Sequence, residues 1–160
     1  MAKPSRFEEL VRTVTTDVAE HPRDLTRHYA ERLKVSRVAA NKYSQRLEQE
    51  GWIARSGPST HPVFSLGYKR RVARLYSLAG LEEHVVWERD LKPYFNLAPN
   101  VQIIASHGIT EMVNNAIDHS AGTSVFVSTS QDENALWIII SDNGVGIFAK
   151  ITAALDLPDM

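Results

Sequence analysis

Residues 109–120 read Ile109-Thr110-Glu111-Met112-Val113-Asn114-Asn115-Ala116-Ile117-Asp118-His119-Ser120, and residues 141–148 read Ser141-Asp142-Asn143-Gly144-Val145-Gly146-Ile147-Phe148. In the first stretch Ile109, Met112, Val113, Ala116 and Ile117 recur at intervals of three and four. That spacing predicts a helix, over 101–119, with one face turned to a core. Glu111, Asn114, Asn115 and Asp118 fall on the opposite face. Adjacent asparagines are poor mid-helix residues, so this face points to a role beyond helix formation; a solvated polar face is the plain alternative. Ala121-Gly122 turns the chain into a strand over 123–130. Gln131-Asp132-Glu133-Asn134 is a polar hairpin loop, and a second strand over 135–142 runs into the glycine-bearing stretch. Residues 135–140 are apolar on both faces, as in a strand meant for burial.

Upstream, Phe7, Leu10, Val11, Val14 and Val18 predict a helix over 7–20, with Ser5 placed to cap it and His21-Pro22 to end it. Asp24 is placed to cap a short helix over 25–33. Lys34-Val35 makes a tight turn, Ser36 caps a third helix, and Gly51 stops it. Residues 52–55 and 63–66 read as two antiparallel strands around a turn rich in Gly, Pro and Ser. Residues 68–80, with Lys69-Arg70-Arg71 and Arg74, read as a linker or connecting helix, and 81–95 as a further helix. The expected fold class is α+β, divided as 1–67, a linker 68–80, and 81–160.

Charge divides the same way. Residues 1–75 hold 15 Lys and Arg against 8 Asp and Glu, a sum of +7, whereas residues 76–160 hold 3 against 11, a sum of −8. A basic module joined to an acidic one suggests different partners, with nucleic acid the candidate for the basic half. The absence of cysteine excludes disulfides and thiolate metal sites. No apolar run approaches the ~20 residues that span a bilayer, and the N-terminus lacks the apolar core of a signal peptide. A cytoplasmic location without membrane contact is the expectation.

Two short helices and a tight turn before a third helix fit a helix-turn-helix. Residues 35–53, Val35-Ser36-Arg37 through Leu47-Glu48-Gln49-Glu50-Gly51-Trp52-Ile53, resemble bacterial winged-helix regulators over about 6–67. Ala40, Tyr43 and Leu47 then face the core. Arg37, Val38, Asn41, Lys42 and Gln45 lie outward on the recognition helix, where Arg and Asn suit base edges and Lys suits phosphate. Arg55, on the hairpin, is placed to reach the DNA backbone or minor groove. A winged helix that docks a protein or a second copy is the competing reading.

Glu111 to Ser120 resembles the N box, and Ser141 to Phe148 the G1 box, of the GHKL superfamily, which includes histidine kinases, anti-sigma-factor kinases and type II topoisomerases. A lone Asp-x-Gly-x-Gly is weak; an N box, a hairpin and a G1 box in that order are specific. The resemblance implies a Bergerat-type α/β sandwich that binds ATP and Mg²⁺. It implies that Asn115 ligates Mg²⁺, that Glu111 orients and deprotonates water in ATPase branches, and that Asp142 accepts from the adenine amino group. Gly144 would allow close approach to the base, Gly146 the turn into a lid, and Asp118 and His119 the pocket rim. No second histidine stands at ligand spacing, so His119 is not expected to bind a metal. The whole chain is most like bacterial proteins that join a winged helix, a kinase-like ATPase domain and a small STAS-like domain.

That resemblance implies an ATP-responsive DNA-binding transcriptional regulator, with double-stranded DNA, ATP and a STAS-like or other protein as partners. The alternative is an anti-sigma-type protein kinase that uses the winged helix for protein docking. His84 lacks the context of a phosphoacceptor. The likeness further implies a lid, a second glycine-rich box and more strands after the G1 box, so the 160-residue chain is expected to be a fragment and inactive in catalysis. An uncovered strand 135–142 is expected to make a homodimer, unless residues 148–157 fold back over it as a helix.

Overall fold

The computed structural model describes residues 4–146. The helix expected over 148–157 and the residues Ile147 and Phe148 lie outside them. The chain is mixed α+β and divides into two compact units, Met1–Val72 with Thr129–Trp137, and Ala73–Ser128 with Ile138–Met160.

In the first unit three helices, α1 (Arg6–Glu20), α2 (Leu25–Leu33) and α3 (Arg37–Gln49), precede two strands, β1 (Ile53–Ser56) and β2 (Val63–Leu66). Ser5 and Glu8 close a reciprocal capping box at the start of α1, and Ser36 Oγ accepts the Ala39 N–H at 3.2 Å at the start of α3. Asp24 makes no such bond on α2; its carboxylate instead takes Arg27 at 3.0 Å and His21 at 3.2 Å. Lys34, at φ 52°, ends α2 in the left-handed region and makes the tight turn into α3. β1 and β2 pair antiparallel with Ile53 opposite Leu66 and Ser56 opposite Val63. Leu10, Val14, Leu25, Tyr29, Leu47 and Phe64 form the core of this unit, drawn from all three helices and β2. Ser44 is also buried, its hydroxyl donating to the Ala40 carbonyl at 3.3 Å.

The expected linker over 68–80 is corrected: Arg70–Ser77 is a strand, β3. Val72 and Tyr76 are buried while Arg71, Ala73 and Leu75 are exposed, which is a period of two that the basic residues obscured. The expected single helix over 81–95 is also corrected. It is a short α4 (Glu83–Val85) that widens into a π-helical turn, Val86–Leu91, and tightens to a 3₁₀ turn, Lys92–Tyr94. Pro93 lacks the N–H that a continuing α-helix needs. The turn also presents Asp90, buried, to Arg89 at 2.9 Å and to Arg74 of β3 at 3.5 Å.

Helix α5 (Pro99–His119) leads to β4 (Ser124–Gln131) and β5 (Leu136–Asp142), which form a sheet in the order β3-β4-β5. Within the second unit, Trp87, Leu91, Ile109, Val113 and Val125 are fully buried. The buried stripe of α5 is Ala105, Ile109, Val113 and Ala116, narrower than expected. Met112 is 50% exposed and Ile117 half-buried, because the stripe advances by four, four and three and leaves both on its margins. β5 is the edge strand among the described residues. Its apolar side chains Trp137, Ile138 and Ile139 are 49%, 37% and 60% exposed. Among the described residues no helix is long and apolar enough to cross a membrane.

Candidate functional site

The C-terminal end of α5 and the end of β5 meet in the second unit around a cavity of about 580 Å³. Met112, Asn115, Ala116, His119 and Ser120 line it from α5, and Ile140, Asp142 and Gly146 from β5 and the loop beyond. The wall is mostly apolar, with an amide and a carboxylate set into it. A cavity of this size with a few placed polar groups suits a small organic ligand.

Each polar group is positioned by local chemistry. Asn115 lies one turn before His119 on the exposed side of α5, with Ala116 beside it turned inward. Asp142 ends β5, and its Oδ1 accepts the Gly144 N–H at 2.8 Å, a tight Asx turn that fixes the carboxylate. Gly144 lies against the end of α5. A Cβ built there would stand 2.1 Å from the Ser120 carbonyl oxygen, so only glycine fits. Gly122 approaches from the other side: its Cβ would meet Asn143 Oδ1 at 2.6 Å and Gly144 N at 2.8 Å. The Val145 N–H donates to the Ser120 carbonyl at 3.1 Å, and the Gly122 N–H to Ser120 Oγ at 2.9 Å. Gly146 sits at φ 78°, a region that favours glycine.

Of the residues singled out from sequence, Asn115, His119, Asp142 and Gly146 line this cavity. Gly144 supports it from behind, where the close neighbour is Ser120. Glu111 and Asp118 are exposed and are not among its described lining residues. Glu111 has a neighbour that the sequence reading did not include: His107 Nδ1 lies 4.0 Å from its Oε1, one helical turn away. Met112 and Ile140 were read as core and central-strand residues, yet both line the cavity. Among the described residues no group of three or more His, Asp or Glu is arranged to hold a metal by itself. Asn115 offers a single oxygen, which fits a cation whose other ligands come from a bound phosphate chain and water.

In the first unit, Arg37, Val38, Asn41, Lys42 and Gln45 are all exposed on α3, and Val38 is 70% exposed. Residues 37, 41 and 45 follow one another at successive turns, with 38 and 42 on the adjacent row, while Ala40, Ser44 and Leu47 are buried on the opposite side. Tyr43 is half-buried and packs on the core. Arg55 is half-buried on β1, its Nη2 at 3.5 Å from the Ser59 carbonyl in the hairpin turn.

Residues 100–155 match the family described as histidine kinase-, DNA gyrase B-, and HSP90-like ATPase. The match begins at the start of α5 and runs through Asp142, so it takes in every described residue that lines the cavity. It supports an ATPase domain over this stretch. No curated protein and no solved structure matches the chain.

Proposed function

We propose that this protein is an ATP-responsive, DNA-binding transcriptional regulator. Residues 81–160 are part of a Bergerat-type nucleotide domain and residues 1–67 a winged helix-turn-helix. The observation that carries the nucleotide half is the convergence of Asn115 and Asp142, from two different elements, on one mostly apolar cavity within the ATPase-like stretch.

In this reading Met112, Ala116 and Ile140 cover the faces of the adenine ring. Asp142 Oδ2, left free by the Gly144 bond, accepts from the adenine amino group. Asn115 supplies a side-chain oxygen to Mg²⁺, which when bound offsets the charge of the phosphates. Glu111 is the base that orients and deprotonates water when ATP is hydrolysed, with His107 beside it. His119 lines the pocket, and Asp118, exposed next to it on α5, meets the nucleotide only at the rim. On α3, Arg37 and Asn41 read base edges, Val38 meets a thymine methyl, Lys42 and Gln45 hold the register, and Arg55 contacts the backbone. Two copies associate through the open edge of β5.

The test is retention of duplex DNA by the full chain, with and without MgATP, over a range of salt. Binding that weakens steeply with salt, changes with MgATP, and loses sequence preference in Arg37→Ala or Asn41→Ala supports the reading. DNA binding absent even at low salt would remove the regulator; transfer of phosphate from ATP to a protein would favour a kinase. If the double variant Asn115→Ala, Asp142→Asn binds ATP as the parent does, the nucleotide site is wrong.

A further inference from the structure

We propose that Asn143 is a positioning residue that sets the adenine end of the site without touching the nucleotide. This rests on the nucleotide reading above and adds a residue to it. Asn143 is not among the described lining residues of the cavity, but it lies between two groups that shape it, Asp142 and Gly144. Its side chain reaches the start of β4. Oδ1 accepts the Thr123 N–H at 2.8 Å and the Ser124 N–H at 2.9 Å, and Nδ2 donates to Thr123 Oγ1 at 3.0 Å. The Asn143 N–H donates to the Ser124 carbonyl at 3.2 Å.

One side chain thus satisfies two backbone donors at a strand start and fastens the loop after β5 to the strand beside it. Removing it leaves both donors without that acceptor, and the loop retains its backbone bonds from Asn143 to Ser124 and from Val145 to Ser120. Asp142 takes its direction from this loop, because its Oδ1 is bonded to the Gly144 amide. Asn115 stands on α5, a rigid element that Asn143 does not hold. Loss of the clamp should therefore misplace the carboxylate that selects the base and leave the phosphate end alone.

The experiment is calorimetric titration of the full chain with adenosine, with ATP, and with MgATP. Asn143→Ala should weaken all three by one common factor, about tenfold, the size of one misplaced hydrogen bond. The ratio of affinities with and without Mg²⁺ should not change. Asn143→Asp keeps an oxygen for both amides and a second for the Thr123 hydroxyl to donate to, so it should recover most of the loss. If Asn143→Ala loses its folded circular-dichroism signal, Asn143→Ser, which keeps one acceptor oxygen, and Thr123→Val, which loses only the bond from Nδ2, supply the same comparison with smaller common factors. Parent-like adenosine binding in Asn143→Ala, a changed Mg²⁺ ratio, or failure of Asn143→Asp to recover overturns the inference and spares the nucleotide reading. A parent chain that binds neither adenosine nor ATP overturns both.

Discussion

The Gly144 N–H donates to Asp142 Oδ1 at 2.8 Å, so the aspartate that lines the cavity closes a turn on its own loop and leaves its second carboxylate oxygen outside that bond. In Asp142→Asn the amide oxygen would keep the Gly144 bond, and an NH₂ would then face the ligand. A donor would meet the donor of adenine where an acceptor had stood. We expect adenosine affinity to fall by about tenfold or more, and inosine, whose base carries a carbonyl at that position, to gain relative to it. Parallel titrations with the two nucleosides measure this; an unchanged ratio would count against Asp142 as the base-selecting group.

Gly144 and Gly146 should respond differently to alanine. At Gly144 the added Cβ, fixed to the main chain by one bond, meets the Ser120 main-chain carbonyl at 2.1 Å, and neither can yield cheaply. We expect a loss of about 1–3 kcal/mol or more. At Gly146 a Cβ meets nothing within 4 Å among the described residues, and the cost is the left-handed backbone at φ 78°, about 1 kcal/mol. Thermal melts of the two variants give the order, and a Gly146→Ala more damaging than Gly144→Ala would contradict the packing at Ser120.

Acid should weaken the second unit through Asp90. The hydrogen bond from Arg89 and the nearby Arg74 guanidinium hold its carboxyl below the usual aspartate range, against the opposing effect of burial. A folded value below the unfolded one stabilises the fold above pH ~4 and is lost as pH falls through the folded value. Urea melts from pH 6 to pH 3 should therefore show a steeper loss in the parent than in Asp90→Asn, which starts less stable and has no carboxylate there to protonate. Parallel curves would show that Asp90 is not the group responsible.

The edge of β5 should bring two copies together. Ile139 is 60% exposed on the outermost described strand, beside Trp137 at 49%. Such an edge offers unpaired backbone groups among apolar side chains. Sedimentation at rising concentration should show a monomer–dimer equilibrium, and Ile139→Lys should shift it to monomer with the folded signal intact. A parent that stays monomeric throughout would refute the dimer.

The sequence was most legible where a pattern repeats within one element. Ile109, Val113 and Ala116 announced the buried face of α5, and Ser5, Ser36 and Gly51 announced helix boundaries, because each acts on residues three or four away. β3 was missed since Arg70, Arg71 and Arg74 break the apolar alternation on which strand recognition depends, yet Val72 and Tyr76 are buried between them. Trp137, Ile138 and Ile139 marked β5 as apolar on both faces, and they stand exposed because β5 is the outermost described strand; side-chain type alone does not say which neighbours a strand has. At the candidate site, Asn115 and Asp142 were singled out by likeness to known boxes, and the structure places both on one cavity. Asn143 was passed over. Its partners lie 19 and 20 residues away, and no local rule pairs an asparagine with the amides at another strand's start.

The contact of Gly144 with Ser120, and of Gly122 with Asn143 and Gly144, also constrains how the gene can drift. At each position the smallest step, glycine to alanine, places an atom where another stands. No single substitution at one partner makes room: the obstacle at Gly144 is the Ser120 main-chain carbonyl, and at Gly122 the Gly144 main-chain nitrogen at 2.8 Å stays even where the Asn143 side chain is changed. Lineages descended from this sequence should therefore keep both glycines while the intervening residues of β4 and the hairpin turn vary, and a change at either should be found only where the turn between α5 and β4 has been rebuilt to a different length.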